Sequence, residues 1–116
     1  MVKMKLNEIV SKLNLEVKSA FDQLNNEVTG GYASDLLSDV MANAQRGNIW
    51  ITLQIHQNIV AVATLKKIAG IILVNNRQPE EETLQKATYE KIPIMVSKLS
   101  TFELVGNLYQ IGITNA

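Results

Sequence analysis

The chain has 116 residues, which suits a single domain, and 47% of them are hydrophobic, enough for a real core. Eleven basic and eleven acidic side chains cancel, which removes the basic excess that nucleic acid or anionic lipid calls for. With no cysteine and one histidine, His56, disulfides, thiolate nucleophiles, cysteine-ligated metals and an internal multi-histidine site are excluded.

Lysines and a glutamate interrupt the apolar residues of the amino-terminal stretch MVKMKLNEIVSKLNLEV, so no signal peptide is expected. The longest apolar run, residues 68–74, is far short of the ~20 residues that span a bilayer. The expectation is a cytoplasmic protein with one domain over residues 1–116 and no membrane or nucleic-acid partner. Leu6, Ile9, Val10 and Leu13 recur at i, i+3, i+4 and i+7, predicting an amphipathic helix over about 4–13. A short strand near 15–19 and a strand near 27–32 follow, the second ending in Thr29-Gly30-Gly31-Tyr32.

Ser34 is the expected N-cap of the next helix, with Asp35 at its positive end and Leu36, Leu37, Val40, Met41 and Ala44 as its buried stripe. Gly47 terminates that helix. The β-branched and aromatic run NIWITLQ predicts an interior strand. Residues 57–67 are compositionally ambiguous, but Lys66 and Lys67 suit a helical C-terminus and strands flank the segment. Its almost all-round apolarity implies a buried helix, one that a partner chain could cover.

AGIILVN is a continuous apolar run of the kind found in parallel sheets. Pro79 fits the first turn of the helix that follows, where Glu80, Glu81 and Glu82 complement the dipole. IPIMVS is the next strand, with Pro93 at its start. Ser100 and Glu103 form an S-x-x-E start signal for the last helix, Leu99 and Leu104 can staple it, and Gly112 ends it. Strand–helix alternation with short connections predicts an α/β fold: right-handed βαβ units, a mainly parallel sheet and flanking helices.

In open parallel sheets ligands bind beyond the carboxyl ends of the strands, near a switch in strand order. Ascribing each loop to such an end gathers a candidate ligand-binding set: Thr29, Gly30, Gly31, Ser34, Gln54, His56, Asn75 and Ser97. Tyr32, Thr52, Asn76, Arg77, Lys98, Ser100 and Thr101 stand around it. These short polar groups, glycines and helix starts suit an anion or a nucleotide, although polar residues also collect wherever strands end in loops. Thr29-Gly30-Gly31 lacks both the G-x-x-x-x-G-K-[ST] and the G-x-G-x-x-G spacing. Two adjacent glycines instead permit positive φ or a close backbone approach, and the expectation is a backbone device at a strand-to-helix bend. His56 has the titration range for proton transfer but no carboxylate partner visible in the sequence. The aromatic residues are too scattered for a base-stacking platform.

The stretches EVTGGYASDLLSDVMANA, NIWITLQIHQNIVAVA, AGIILVNNRQPEEETLQKA and IPIMVSKLSTFELVGNLYQIG together resemble the DRTGG-domain family over nearly the whole chain. The resemblance implies a fold like the N-terminal domain of HPr kinase/phosphorylase, and a module that also accompanies CBS modules in regulated pyrophosphatases. The name motif maps onto Glu27, Val28, Thr29, Gly30 and Gly31. Its arginine position is Val28, while the Thr-Gly-Gly end is intact. Phosphoryl transfer needs a phosphate cradle, a metal-holding residue and a positioned base. In the kinase the P-loop lies in a C-terminal domain to which this chain has no counterpart, so the resemblance implies a non-catalytic chain.

The leading expectation is thus a regulatory or adaptor module. It would self-associate as a homodimer through Thr29–Tyr32 and nearby apolar surface, and take a nucleotide at the strand ends. No cofactor or metal is expected, an adenine nucleotide being the ligand the site admits. A second expectation is a small enzyme on a phosphorylated or nucleotide substrate, with His56 as acid–base and Arg77 or Lys98 holding the anion. A third, an accessory protein of an iron-hydrogenase system, rests on gene neighbourhoods in the family alone.

Overall fold

The computed structural model describes residues 4–115; residues 1–3, part of the amino-terminal stretch read above as no signal peptide, and residue 116 lie outside. The chain opens with β1 (Met4–Lys5) and α1 (Leu6–Leu13), then β2 (Glu16–Val17), a 3-10 turn over Phe21–Gln23 and β3 (Glu27–Val28). It continues as β4 (Gly30–Ala33), α2 (Leu37–Asn43), β5 (Asn48–Thr52), α3 (Asn58–Lys66), β6 (Gly70–Leu73), α4 (Glu81–Glu90), β7 (Ile94–Val96) and α5 (Thr101–Gln110). Five strands form one sheet in the order β2-β7-β6-β5-β4. β4 to β7 run parallel to one another, and β2 pairs antiparallel with β7, Glu16 opposite Val96. β1 and β3 form a separate antiparallel ribbon, Met4 opposite Val28. The α/β fold with a mainly parallel sheet and flanking helices is the one expected.

Alternation along the strands builds a core on each face of the sheet. Trp50, Ile71, Leu73, Ile94 and Val96 face one way, onto Val40 of α2 and Ala44 just after it, Ile59, Val60 and Ala63 of α3, and Ala87 of α4. Ile49, Ile51, Ile72 and Met95 face the other way, onto Leu6 and Ile9 of α1 and Leu104 and Leu108 of α5. Strands buried on both faces cannot alternate polar with apolar, which is why they read as continuous β-branched runs. Gly70 matters here: a Cβ would lie 2.9 Å from Met95 Cε and 3.2 Å from Leu6 Cδ2, so its absence lets α1 sit close on the sheet.

Several local expectations are corrected. The segment read as one strand over 27–32 breaks at Thr29, and its halves join different sheets. α2 starts later than expected: its N-cap is Leu36, with no side-chain cap. Ser34 Oγ instead accepts from the Leu36 N–H, 3.2 Å away, in a turn before the helix. Only Val40 and Ala44 of the expected α2 stripe are buried; Leu36 and Met41 are exposed. α3 forms as read, but it is covered by α2 and α4 of its own chain. Pro79 stands just before the Glu80 N-cap of α4 rather than inside its first turn. The last helix holds closely to its start signal, with Ser100 Oγ accepting from the Glu103 N–H at 3.3 Å.

The strand order, which the sequence leaves open, provides no switch point among the parallel strands. From β4 to β7 the parallel strands follow one another in sequence order with no reversal. Among the described residues no helix is long and apolar enough to cross a membrane.

Candidate functional site

The expected convergence of strand ends splits in two. Gly30 and Gly31 open β4 rather than close it: Gly30 pairs with Asn48, the first residue of β5, and Ala33 with Ile51. Thr29, Gly30 and Gly31 therefore lie at the amino edge of the sheet, opposite the edge where Ser34, Gln54, Asn75 and Ser97 emerge. The expected strand-to-helix bend at the glycines is corrected, because Gly30 to Ala33 are the strand.

At that amino edge the motif works on backbone. Thr29 N–H donates to Gly47 O at 3.0 Å, and Thr29 Oγ1 donates to Arg46 O at 2.8 Å and accepts from Asn48 Nδ2 at 3.3 Å. It thereby clasps the turn that leads α2 into β5. Gly47 has φ +81, and a Cβ there would meet Thr29 Cγ2 at 2.7 Å, so both conformation and space require glycine. Gly31 N–H donates to Thr114 O at 2.8 Å, drawing the segment after α5 along the outer edge of β4.

Over the carboxyl ends of β4 and β5 the polar groups satisfy one another. Asp35 Oδ1 accepts from Thr52 Oγ1 at 2.8 Å and from the Leu53 N–H at 2.7 Å, while Gln54 Nε2 donates to Asp35 O at 2.9 Å. Trp50 Nε1, inside the core, donates to Ser34 O at 2.8 Å. Asp35 is thus a strap between two strand ends, not a helix-dipole residue. Just beyond, the Tyr32 hydroxyl donates to Asp39 Oδ2 at 2.8 Å and Asn43 Nδ2 to Asp39 Oδ1 at 2.9 Å.

His56 has a carboxylate partner after all. Its Nδ1 lies 3.0 Å from Glu80 Oε2, and their side chains are 62% and 46% exposed. Glu80 was assigned to a helix dipole in the sequence. It reaches His56 because the Glu80 N–H and Thr83 Oγ1 both bond Ile55 O, pinning the start of α4 beside the loop before α3.

Over β6 and β7 the edge is open. Asn75 and Asn76 both have φ +55 and form a two-residue reversal, with Arg77 N–H returning to Val74 O at 3.1 Å. Their own N–H groups donate to Leu99 O at 2.8 Å and Ser97 O at 2.7 Å, tying this turn to the loop after β7. Ser97 is 3% exposed and its Oγ accepts from the Leu99 N–H at 3.1 Å. Between these loops and the α1–β2 turn lies a cleft of about 520 Å³, lined by Leu13, Asn14, Leu15, Asn76, Ser97 and Lys98 among others. Of the eight candidate residues only Ser97 lines it. Asn14, left-handed (φ +53) at the end of α1, stands in the lining and is not among the eight.

A second cavity, about 220 Å³, sits on the α5 side of β4 and is lined by Gly31, Tyr32, Val105, Leu108, Tyr109 and Ile113 among others. Among the described residues no group of three or more histidine or acidic side chains stands close enough to hold a metal ion.

No family model matches this chain, and no curated protein matches it. Among solved structures it is similar to the crystal structure of the CBS and DRTGG domains of the regulatory region of Clostridium perfringens pyrophosphatase, complexed with its activator diadenosine tetraphosphate. The TM-score is 0.71 and the identity 15%, over 88% of this chain and 44% of that one. The chain thus spans less than half the length of that structure. It shares a fold with that regulatory region, in agreement with the resemblance to DRTGG domains drawn from its sequence.

Proposed function

We propose that the chain is a non-catalytic regulatory module that takes a nucleotide in the cleft at the end of β7 and works as a self-associated unit. The observation that carries the reading is the cleft itself, open at the strand edge where the polar groups over β4 and β5 are already spent on one another. Its lining offers a nucleotide apolar, amide and cationic contacts, and the one carboxylate in it, Glu16, lies 3.7 Å from the Lys18 ammonium. Leu13 and Leu15 offer an apolar surface to the face of a base. The carboxamides of Asn14 and Asn76 can both donate and accept at its edge. Lys98, exposed at the mouth, supplies an ammonium for phosphate. The shared fold with a regulatory region that binds a dinucleotide activator supports the same reading.

The His56–Glu80 pair favours a second reading, an acid–base enzyme on a phosphorylated or nucleotide substrate, since a carboxylate partner orients an imidazole. It ranks behind because Glu80, Glu81 and Glu82 line the hollow beside the pair, and three carboxylates repel an anionic substrate.

One experiment addresses both. Thermal unfolding is followed with adenine, guanine and uridine nucleotides at millimolar concentration, and the nucleotides are assayed for turnover afterwards. A ligand present at ~100 times its dissociation constant adds about 2.7 kcal/mol, a rise of several degrees for a domain of this size. The expected result is a base-dependent rise, lost in Lys98→Glu, with the nucleotide recovered intact. A flat panel sinks the nucleotide-binding module, and turnover abolished in His56→Ala moves the assignment to the enzyme.

A further inference from the structure

The cleft at the end of β7 opens where the pairing of β2 with β7 stops. Glu16 stands opposite Val96, and the Lys18 N–H donates to Ile94 O at 2.8 Å, so Asn14 and Lys98 come next in register. They do not pair. Asn14 has turned left-handed and gives its N–H to Ser11 O, 3.4 Å away at the end of α1. The wall left unpaired at Lys98 is rich in donors. Ser97 O accepts from the Asn76 N–H at 2.7 Å, and across a trans peptide the following N–H points the opposite way. The Lys98 N–H is therefore turned from β6 toward the α1–β2 side, and among the described residues it has no acceptor. Ser97 adds a second donor. It is 3% exposed in the cleft lining, and its Oγ accepts from the Leu99 N–H, but its own proton has no acceptor among the described residues. Buried donors ordinarily find a partner. The third donor is the Lys98 ammonium, which has no carboxylate partner among the described residues. Acceptors are scarce on this wall. Ser97 O and Leu99 O already take the Asn76 and Asn75 N–H groups, and Lys98 O points away from the Ser97 hydroxyl to which the Leu99 N–H points. The opposite wall has the reverse character, because Asn14 O receives no hydrogen bond among the described residues.

We propose that the Ser97–Lys98 wall is a phosphate subsite: the Ser97 hydroxyl, the Lys98 N–H and the Lys98 ammonium each donate to one oxygen of a terminal phosphate. Donors without acceptors, joined by one positive charge, select an oxyanion over a neutral group. Three donors match the three free oxygens of a phosphate monoester, whereas a phosphodiester or a carboxylate offers two. The Glu16 carboxylate does not oppose the anion strongly, because the Lys18 ammonium stands 3.7 Å from it. Asn14 O on the facing wall then receives a donor from the same ligand, a sugar hydroxyl or a base amine. The ligand thus supplies the rung that Asn14 and Lys98 do not form and fastens the α1–β2 turn to the end of β7. The inference rests on the nucleotide reading of this cleft, and it adds which end of the nucleotide lies against β7 and which groups hold it.

The test titrates the whole chain, labelled with nitrogen-15, with inorganic phosphate up to about 50 mM, a range that reaches weak, millimolar sites. The pH is held above about 7, where phosphate is largely doubly charged, and sodium chloride keeps the ionic strength constant. The Lys98 amide resonance is expected to move saturably, while that of Gly31, at the opposite edge of the sheet, stays in place. Lys98→Gln, at an exposed side chain, should weaken phosphate binding by about 10-fold or more. Ser97→Ala should do the same. It also leaves the Leu99 N–H unpaired, so its fold is checked by circular dichroism, and Lys98→Gln decides the matter if it unfolds. An unmoved Lys98 amide, or equal affinity in Lys98→Gln, overturns the subsite. Dimethyl phosphate bound as tightly as inorganic phosphate overturns the assignment to a terminal phosphate. The nucleotide panel fails separately. Nucleotides that stabilise the chain while phosphate leaves Lys98 unmoved keep the proposed function and overturn this subsite. A saturable phosphate site beside a flat nucleotide panel supports the subsite and overturns the nucleotide.

Discussion

Three donors converge on Asp39. Hydrogen bonds from Ser34, then Tyr32 and Asn43, hold its carboxyl below the usual carboxylate range, with the phenol 2.8 Å and the Asn43 amide 2.9 Å away. The same hydrogen bond to Asp39 pushes the Tyr32 hydroxyl above its ordinary value, since ionising it would place two negative charges together. The signs follow from linkage. The carboxylate's contribution to stability is complete above the unfolded-state value and drains away as pH falls through the depressed folded-state value. The phenol's is complete below its unfolded-state value and is lost as pH rises through the raised one. Urea unfolding as a function of pH should therefore show wild type more stable than Asp39→Asn at neutral pH. That gap should close on acidification below about pH 4, where carboxylates protonate. A gap that stays constant with pH would mean the charge on Asp39 contributes nothing. Residue type was legible here and residue place was not. Thr29 and the glycines were recognisable as a backbone device, yet only the pairing of Gly30 with Asn48 reveals that they serve the amino edge. Glu80 looked like a helix-start carboxylate and is one. Its reach to His56 depends on Ile55 O, a contact made by folding and not by spacing.

Elements with local signals were legible, and those without were not. α5 carries its cap, Ser100, in the sequence, and the 57–67 segment became α3 because lysines and flanking strands outweighed its composition. α2 was misplaced because a good N-cap residue can equally serve a turn, which is how Ser34 is used. The short strand near 15–19 forms as β2, but its place in the sheet could not be read, because that depends on a contact with β7 more than 70 residues away. That contact hangs on Ser19. It is 1% exposed, and its Oγ donates to Ile92 O at 2.9 Å and accepts from the Ile94 N–H at 2.9 Å, so one hydroxyl satisfies a buried acceptor and a buried donor. Ser19→Ala strands both. Unsatisfied buried groups cost about 1–3 kcal/mol each, so denaturant unfolding should show a loss of about 3 kcal/mol in total. Loss of protection at the β2 and β7 amides in hydrogen exchange should exceed that elsewhere. A variant as stable as wild type would mean that water replaces the hydroxyl.

At the scale of the molecule the sheet separates two cores that the chain fills in alternation, and this arrangement was only half visible in sequence. Hydrophobic runs showed that β5, β6 and β7 are covered on both faces, but not which helices cover which face. That sorting arises because the three connections within the parallel run, α2, α3 and α4, share one face. The helices before and after that run, α1 and α5, take the other. The absence of a strand-order reversal follows from the same plan, and with it goes the crevice that a reversal would have opened. The sheet is only one strand thick, so the cores touch through alternate residues of the same strands: Trp50 points into one, and its neighbours Ile49 and Ile51 into the other. Damage to one core should therefore be felt as a loss of global stability rather than as melting of one side. Leu104 lies in the α5 core at 0% exposure, and Leu104→Ala should cost about 3 kcal/mol. Trp50 is fully buried in the opposite core and is the only tryptophan, so its fluorescence reports that side alone. Native emission should be unchanged in the variant. The unfolding transition followed through Trp50 should shift by the same amount as the one followed by circular dichroism, as one cooperative unit requires. If the tryptophan transition stays at the wild-type midpoint while helix signal is lost earlier, the two faces fold separately. The shared strands would then fail to couple the α5 face to the core around Trp50.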